Sequence, residues 1–319
     1  MNFSRGPLVA SFLAALAALD SDGRAAPQAL GSLVGYWKLD ETAVGTAADS
    51  SGWGNGGTHQ NNPTPDTVNV ATLGFANPAS LSLDAAAGQQ HVLVPDAASL
   101  RLTTTLTLAA WVRPTANTGT GDPVEAQKCI VEKWLDSAGI INGYFLRLTA
   151  NNAGNNVPYF SVGDGSQQAS ASPSPYTPLT LNTWNHVAGT FNGTQLILYV
   201  NGVASPPTAS TAAPLATNTA ELHIGKDYGA NVFTGNIDDV RVYNRVLSAA
   251  EITDLVNGVD VRDPVIPPPT GGSSGEGKNG DDWIGDWCFG GSAIPAPPNP
   301  VVFFAALMGL ALLLPRRRS

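Results

Sequence analysis

The stretch from Trp184 to Ser205 constrains the fold of this chain more than any other. Apolar runs at Trp184–Phe191, Gln195–Val200 and onward from Val203 are separated by Asn192-Gly193 and Asn201-Gly202. Asn-Gly supplies the positive φ angles of a type I′ turn, whose twist matches that of the strands it joins. The pattern predicts a three-stranded antiparallel meander with two tight hairpins.

The same pattern extends along the chain. Short apolar runs recur at Val34–Leu39, Leu81–Leu83, His91–Pro95, Leu106–Arg113, Cys129–Trp134, Tyr144–Leu148, Val157–Val162, Glu221–Ile224 and Ile237–Tyr243, with Gly, Pro, Asn and Asp between them. Alternation in Leu106–Val112 and Val240–Tyr243 marks half-buried strands. About eleven short strands with almost no helix predict an all-β, two-sheet antiparallel jelly-roll sandwich. One helix is predicted. Ser248-Ala249-Ala250-Glu251 is a capping box, Ile252, Leu255 and Val256 give an apolar stripe, and Gly258 ends it. So short a helix is expected to act as a lid on one sheet edge. Residues 33–260 form one domain, followed by a Pro/Gly/Ser-rich linker at 261–293.

The two ends read as addresses. Residues 1–25 resemble a signal peptide: Arg5 precedes an uncharged apolar run from Pro7 to Leu19. That run is about 13 residues, too short to cross about 30 Å of hydrocarbon. Residues 294–319 form a hydrophobic sorting or anchor tail, with the apolar block Val301–Leu314 closed by Arg316, Arg317 and Arg318. The positive-inside preference puts this end in the cytoplasm and the body outside. The tail is similar to PEP-CTERM and myxobacterial sorting signals, with Ile294-Pro295-Ala296-Pro297 in place of a Val-Pro-Glu-Pro motif. Cys288, just before it, is either a cleavage or lipidation point or simply a residue beside a membrane. Envelope sorting and processing machinery is thus an expected partner, and the tail is the only expected membrane contact. Cys129, in an apolar run, is expected to be a small buried residue with no disulfide to Cys288.

Few charges (13%) with 34 Gly and 24 Pro suit an exported all-β domain. The formal net charge of −9 argues against nucleic acid and anionic membrane surfaces.

Several blocks resemble the bacterial laminin-G-like domains of the concanavalin A-like lectin/glucanase superfamily. They are Leu33–Glu41, Asp49–Gly57, Leu106–Pro114, Asn182–Thr190, Tyr199–Gly202 and Gly235–Ser248 running into Glu251-Ile252. The resemblance implies two packed antiparallel sheets, but no single function. It also implies a structural Ca²⁺ held by Asp238 on the last strand. Asp49, in a Ser/Gly-rich loop, is a candidate second ligand, and Asp40 a weaker one. The alternative is that Asp49 caps its own turn and Asp238 pairs with Arg241 or Arg245.

Catalytic members of that superfamily carry Glu-x-Asp-x-Glu on one strand, and this chain lacks such a run. Glu125, Glu132 and Asp136 read as wrongly spaced for a glycosidase, and Asp238 and Asp239 as facing opposite ways. None of His59, His91, His186 and His223 lies near a nucleophile-elbow motif. His186 is expected to pack, and His59 to be solvated. Trp37, Trp111 and Trp184 are expected in the core. Tyr228, Asn231 and Phe233, on a loop between two matched blocks, form the expected ligand surface, with Trp134, Tyr159 and Tyr176 as further aromatic candidates.

The sequence thus predicts an exported, surface-tethered, non-catalytic module that binds an extracellular glycan or protein ligand. The alternatives are a structural surface or matrix component, and a polysaccharide-active glycoside hydrolase. The tail reading predicts that deleting 294–319 releases the protein into the medium. Equal envelope retention of full-length and truncated chains contradicts it.

Overall fold

The computed structural model describes residues 31–118, 127–137, 140–150, 155–173, 177–229 and 231–263. The expected signal segment, most of the expected linker, the expected tail, Cys288, Arg316, Arg317, Arg318, Glu125 and Tyr176 lie outside the described residues. Among the described residues no helix is long and apolar enough to cross a membrane.

Six short strands precede the first long one: β1 (Leu33–Trp37), β2 (Thr46–Ala47), β3 (Gly57–Gln60), β4 (Thr64–Asp66), β5 (Ser80–Leu83) and β6 (His91–Val94). β7 (Leu106–Pro114) follows, then β8 (Lys128–Ser137), β9 (Ile140–Ala150), β10 (Asn156–Asp164) and β11 (Gln168–Ala171). The chain continues through β12 (Asn185–Phe191), β13 (Gln195–Val200), β14 (Val203–Ala204), β15 (Thr208–Ala209), β16 (Leu222–Ile224) and β17 (Gly235–Tyr243) into helix α1 (Ala249–Val256).

These strands form two antiparallel sheets. The nine-stranded sheet runs β14-β13-β12-β7-β17-β5-β4, with β1 on β17 and β15 on β13. The eight-stranded sheet runs β11-β10-β9-β8-β16-β6-β3-β2. Alternation decides what lies between them. Leu108, Ala110 and Val112 of β7, Val187 and Phe191 of β12, and Ile237, Val240 and Val242 of β17 meet Leu146, Phe160, Val92 and Ile224 of the other sheet in one apolar cluster. Burying each large side chain contributes about 1.5–3 kcal/mol, so this layer dominates stability.

The meander of β12, β13 and β14 forms as expected. Its second turn has the expected positive φ at both Asn201 (49°) and Gly202 (81°). The first turn differs, because of the pair only Gly193 has positive φ (94°). The Asn192 side chain accepts from the N–H groups of Thr194 (3.0 Å) and Gln195 (2.8 Å), so it closes a longer loop instead.

The capping box forms: the Ser248 hydroxyl accepts from Glu251 N–H (3.3 Å), and Glu251 accepts from Ser248 N–H (2.8 Å). The helix does not cover an edge, however. Ile252 and Leu255 pack with Tyr36, Ala109, Ala188, Tyr199 and Tyr243 on the outer face of the nine-stranded sheet. The small residues Ala109 and Ala188 leave room for it there.

Other expectations hold in part. Trp37 lies in the main core and Cys129 is a buried free cysteine. Trp111 is buried against His186 on the outer face of the nine-stranded sheet rather than between the sheets, with ring centroids 5.4 Å apart. Trp184, expected in the core, is only partly buried because it precedes β12 rather than joining it. His59 is half-buried in β3, not in a solvated loop.

Candidate functional site

One register row crosses the eight-stranded sheet. Ser170 lies opposite Ser161, Ser161 opposite Phe145, Phe145 opposite Glu132, Glu132 opposite His223, His223 opposite Leu93 and Leu93 opposite Thr58. Directly opposed residues share a face. Their chain neighbours Phe160, Leu146, Val131, Ile224 and Val92 belong to the core, so the row lies on the outer face.

At its centre is a buried ion pair. Glu132, only 1% exposed, accepts at Oε2 from Arg147 Nε (2.8 Å) and Nη2 (2.6 Å). Its Oε1 accepts from the backbone N–H of Tyr228 (2.6 Å). Burial raises the Glu132 carboxyl above its usual range, and the attraction of Arg147 only partly offsets this. Burial alone would lower Arg147, but Glu132 together with Cys129 and Asp227 outweighs it and holds the guanidinium charged. That guanidinium also lies over the Phe145 ring, 4.1 Å from its centroid. Phe145 in turn contacts Trp134 edge-on at 4.8 Å and Tyr159 at 5.7 Å, which gives an aromatic row beside the ion pair.

Through Tyr228 the ion pair holds the loop after β16. Asp227 accepts from the Asn231 N–H (2.9 Å) and from its side-chain amide (2.7 Å), closing the loop on itself. Tyr228 is left 52% exposed. One face of its ring stacks on His223, with centroids 5.8 Å apart and planes 6° apart. Burial, then His91 and Lys226, lower His223 to about 4, so this backing ring is neutral near pH 7.

Of the three expected ligand residues, only Tyr228 is placed as expected. Asn231 shapes the loop with its amide. Phe233 is fully buried in the core and offers no surface, since its N–H donates to Gly225 O (2.8 Å) and folds the chain back over the sheet.

The carboxylates expected at a metal separate. Asp49 accepts at Oδ1 from Tyr36 N–H (3.0 Å) and Ser51 N–H (2.9 Å), and at Oδ2 from Ser51 Oγ (2.7 Å) and Asn55 N–H (2.8 Å). Both its oxygens are committed to the turn, so it does not fit a cation. Asp238 is fully buried and accepts at Oδ2 from Ala71 N–H (3.1 Å) and the Asn77 amide (2.7 Å). Its Oδ1 has no partner among the described residues, and neither has Oδ1 of Asp40. Burial pushes Asp238 up to about 8 against those two hydrogen bonds, and Asp239 and Asp40 add to the rise.

Asp238 pairs with neither Arg241 nor Arg245. Arg241 goes to Asp239 (3.2 Å) and Asp260 (3.1 Å), while Arg245 goes to Glu251 (2.8 Å) and Asp263 (3.1 Å). Leu39 (φ 59°) and Asp239 (φ 52°), the chain neighbours of Asp40 and Asp238, both hold strained left-handed backbone. Among the described residues no three His, Cys, Asp or Glu groups gather as a metal site, so a cation here would rely on backbone carbonyls.

Sequence reasoning missed the role of Glu132. Positions 132, 134 and 136 of β8 share a face, because the register is unbroken there, so the spacing is not wrong for a common surface. Both Glu132 oxygens are instead committed, Oε2 to Arg147 and Oε1 to the Tyr228 N–H. The local signal for the pair is faint, since Arg147 is on the next strand and Tyr228 is 96 residues away.

The family model for Laminin_G_3, described as the concanavalin A-like lectin/glucanases superfamily, matches residues 86–253. Among solved structures, the chain is similar to domain 4 of AbnA, a GH43 extracellular arabinanase from Geobacillus stearothermophilus, in complex with arabinotriose. The TM-score is 0.51 at 19% identity, covering 71% of this chain and 98% of that one. It is similar also to the botulinum neurotoxin serotype D ligand-binding domain in complex with N-acetylneuraminic acid, with TM-score 0.50, 15% identity and coverage of 71% and 51%. The receptor-binding domain of the mosaic serotype C/D neurotoxin gives 0.51 at 15% identity, with the same coverage of 71% and 51%. This chain therefore spans about half of each toxin domain. At these identities the likeness is one of fold. No curated protein matches the sequence.

The ion-pair account predicts that Arg147→Met costs about 3–5 kcal/mol in urea unfolding, because it strands a buried carboxylate. Glu132→Gln with Arg147→Met should recover much of that loss. A cost below about 1 kcal/mol for Arg147→Met contradicts the account.

Proposed function

The chain belongs to the concanavalin A-like lectin/glucanases superfamily, and on that premise we propose that its domain is a non-catalytic binding module for an extracellular glycan. The observation that carries the reading is Tyr228. It is half-exposed, backed by a neutral His223 and tied to the sheet through Glu132, so its free ring face is a pre-set stacking platform. Rigid aromatic faces beside polar groups suit sugars, which present C–H patches and hydroxyls together. The arabinotriose and N-acetylneuraminic acid named with the similar structures favour a glycan over a protein ligand. The commitment of Glu132 argues against the hydrolase alternative. In this reading the protein is exported and held at the cell surface by its C-terminal tail, whose sorting involves Cys288 and Arg316–Arg318.

We further propose that Asp238 and Asp40 hold a structural Ca²⁺, with backbone carbonyls completing its shell. Their two buried, unpartnered oxygens and the strained backbone beside them support this. The ion would tie the last strand to the segment after β1; it would have no part in ligand chemistry.

Two outcomes follow. On a glycan array, Tyr228→Ala should weaken binding by about 1–2 kcal/mol with little change in Tm. Unchanged affinity moves the site elsewhere, and steady release of reducing ends from polysaccharide overturns the non-catalytic reading. Chelator should lower Tm and Ca²⁺ restore it, by about 2.7 kcal/mol of stability at a hundredfold excess over Kd. Asp238→Ala should abolish that response, whereas a wild-type melt indifferent to chelator, with no calcium in the untreated protein, refutes the calcium site.

A further inference from the structure

The hydrogen bonds of Asp49 build a loop with a second purpose. By capping Ser51 and Asn55 it fixes residues 49–55 against β1. Asn55 extends the anchorage, donating to Val34 O (2.7 Å) and Ser99 Oγ (2.9 Å) and accepting at its carbonyl from the Trp37 indole (2.9 Å). Trp53 stands on this loop between Gly52 (φ 94°) and Gly54 (φ 78°), and its indole N–H donates to Gly31 O (3.2 Å).

Opposite Trp53 lie the segment leading into β7 and Asn244, the first residue after β17. Thr105 Oγ1 donates to Asn244 O (2.9 Å) and closes the two together. Between these parts is an open depression of about 360 Å³, lined by Trp53, Ser99, Arg101, Thr104 and Asn244 among others. That volume is in the range of small-molecule sites, about 300–1,000 Å³.

Its chemistry narrows the ligand. Among the described residues no Asp or Glu lines it. Arg101 directs Nε and Nη2 to Asp96, so the one charge lining it among the described residues is already paired. The exposed Asn244 amide and Thr104 hydroxyl have no partner among the described residues. One indole, hydroxyls and a free amide on a braced frame match a neutral sugar ring, with its C–H face and hydroxyl edge. The chain's net charge of −9 also disfavours polyanions.

We propose that this depression is a second sugar subsite, separate from Tyr228 and selective for a neutral monosaccharide unit. The inference rests on the glycan-binding reading, which the test below separates from it.

Saturation-transfer NMR on the full-length protein, with arabinose, galactose, glucose and glucuronic acid as probes, tests it. A neutral sugar should retain binding in Tyr228→Ala and lose about tenfold in affinity in Asn244→Ala and in Trp53→Ala. Asn244 is exposed, so Asn244→Ala should keep its Tm and stays informative if Trp53→Ala unfolds. Wild-type affinity in both Asn244→Ala and Thr104→Lys, with loss in Tyr228→Ala, overturns the subsite and leaves the main reading standing. Binding of glucuronic acid alone, weakening with salt, overturns its neutral selectivity. No transfer to any sugar in the wild type overturns both.

Discussion

The apolar layer between the two sheets is the constraint on which the rest depends. Because strand side chains alternate, committing Leu146, Phe160, Val131 and Ile224 to that layer commits Phe145, Ser161, Glu132 and His223 to the other side. A one-residue slip of any strand would exchange the two sets and drive the polar row into the apolar layer between the sheets. The same packing that stabilises the fold therefore aligns the row that holds the candidate site across seven strands.

The site then adds one costly element, an ion pair taken out of water. Such pairs seldom stabilise a fold relative to apolar residues of similar size, but breaking one is expensive. Here the pair has a positional use. Arg147 orients Glu132, Glu132 holds the Tyr228 backbone, and Tyr228 then rests on His223. The Tyr228 ring is thereby held on His223, an ordering that in the proposed binding role would reduce the entropy lost when a ligand stacks on it. Asp49 does comparable work at the depression beside Trp53, with four hydrogen bonds to one carboxylate.

How much of this was legible in the sequence follows from the range of each interaction. The Asn201-Gly202 turn and the Ser248–Glu251 box are complete within a few residues, and both were readable. The Asn192 turn was misjudged because a side chain competed with the backbone for the same N–H groups. The fold class was legible through strand spacing and the family blocks. Of the three residues expected at a ligand surface, only the exposure of Tyr228 was legible. Phe233 and Asn231 sit in the same loop, yet which of them faces solvent depends on Asp227 and on the core beneath. Glu132 could not be assigned because its partners are set by non-local pairing, whereas the turn-capping alternative for Asp49 was legible because Ser51 and Asn55 lie within a few residues of it. Asp238 is named as a cation ligand through its family block, and Asp40, named beside it as a weaker candidate than Asp49, is the one of those two that has an oxygen unpartnered among the described residues.

The most direct test of the central claim is a co-crystal structure of the protein with the glycan it retains best. A sugar ring should lie on the face of Tyr228 opposite His223, with Glu132 still bonded to Arg147 and to the Tyr228 N–H. A ligand seated instead on the outer face of the nine-stranded sheet, leaving Tyr228 uncovered, contradicts the account.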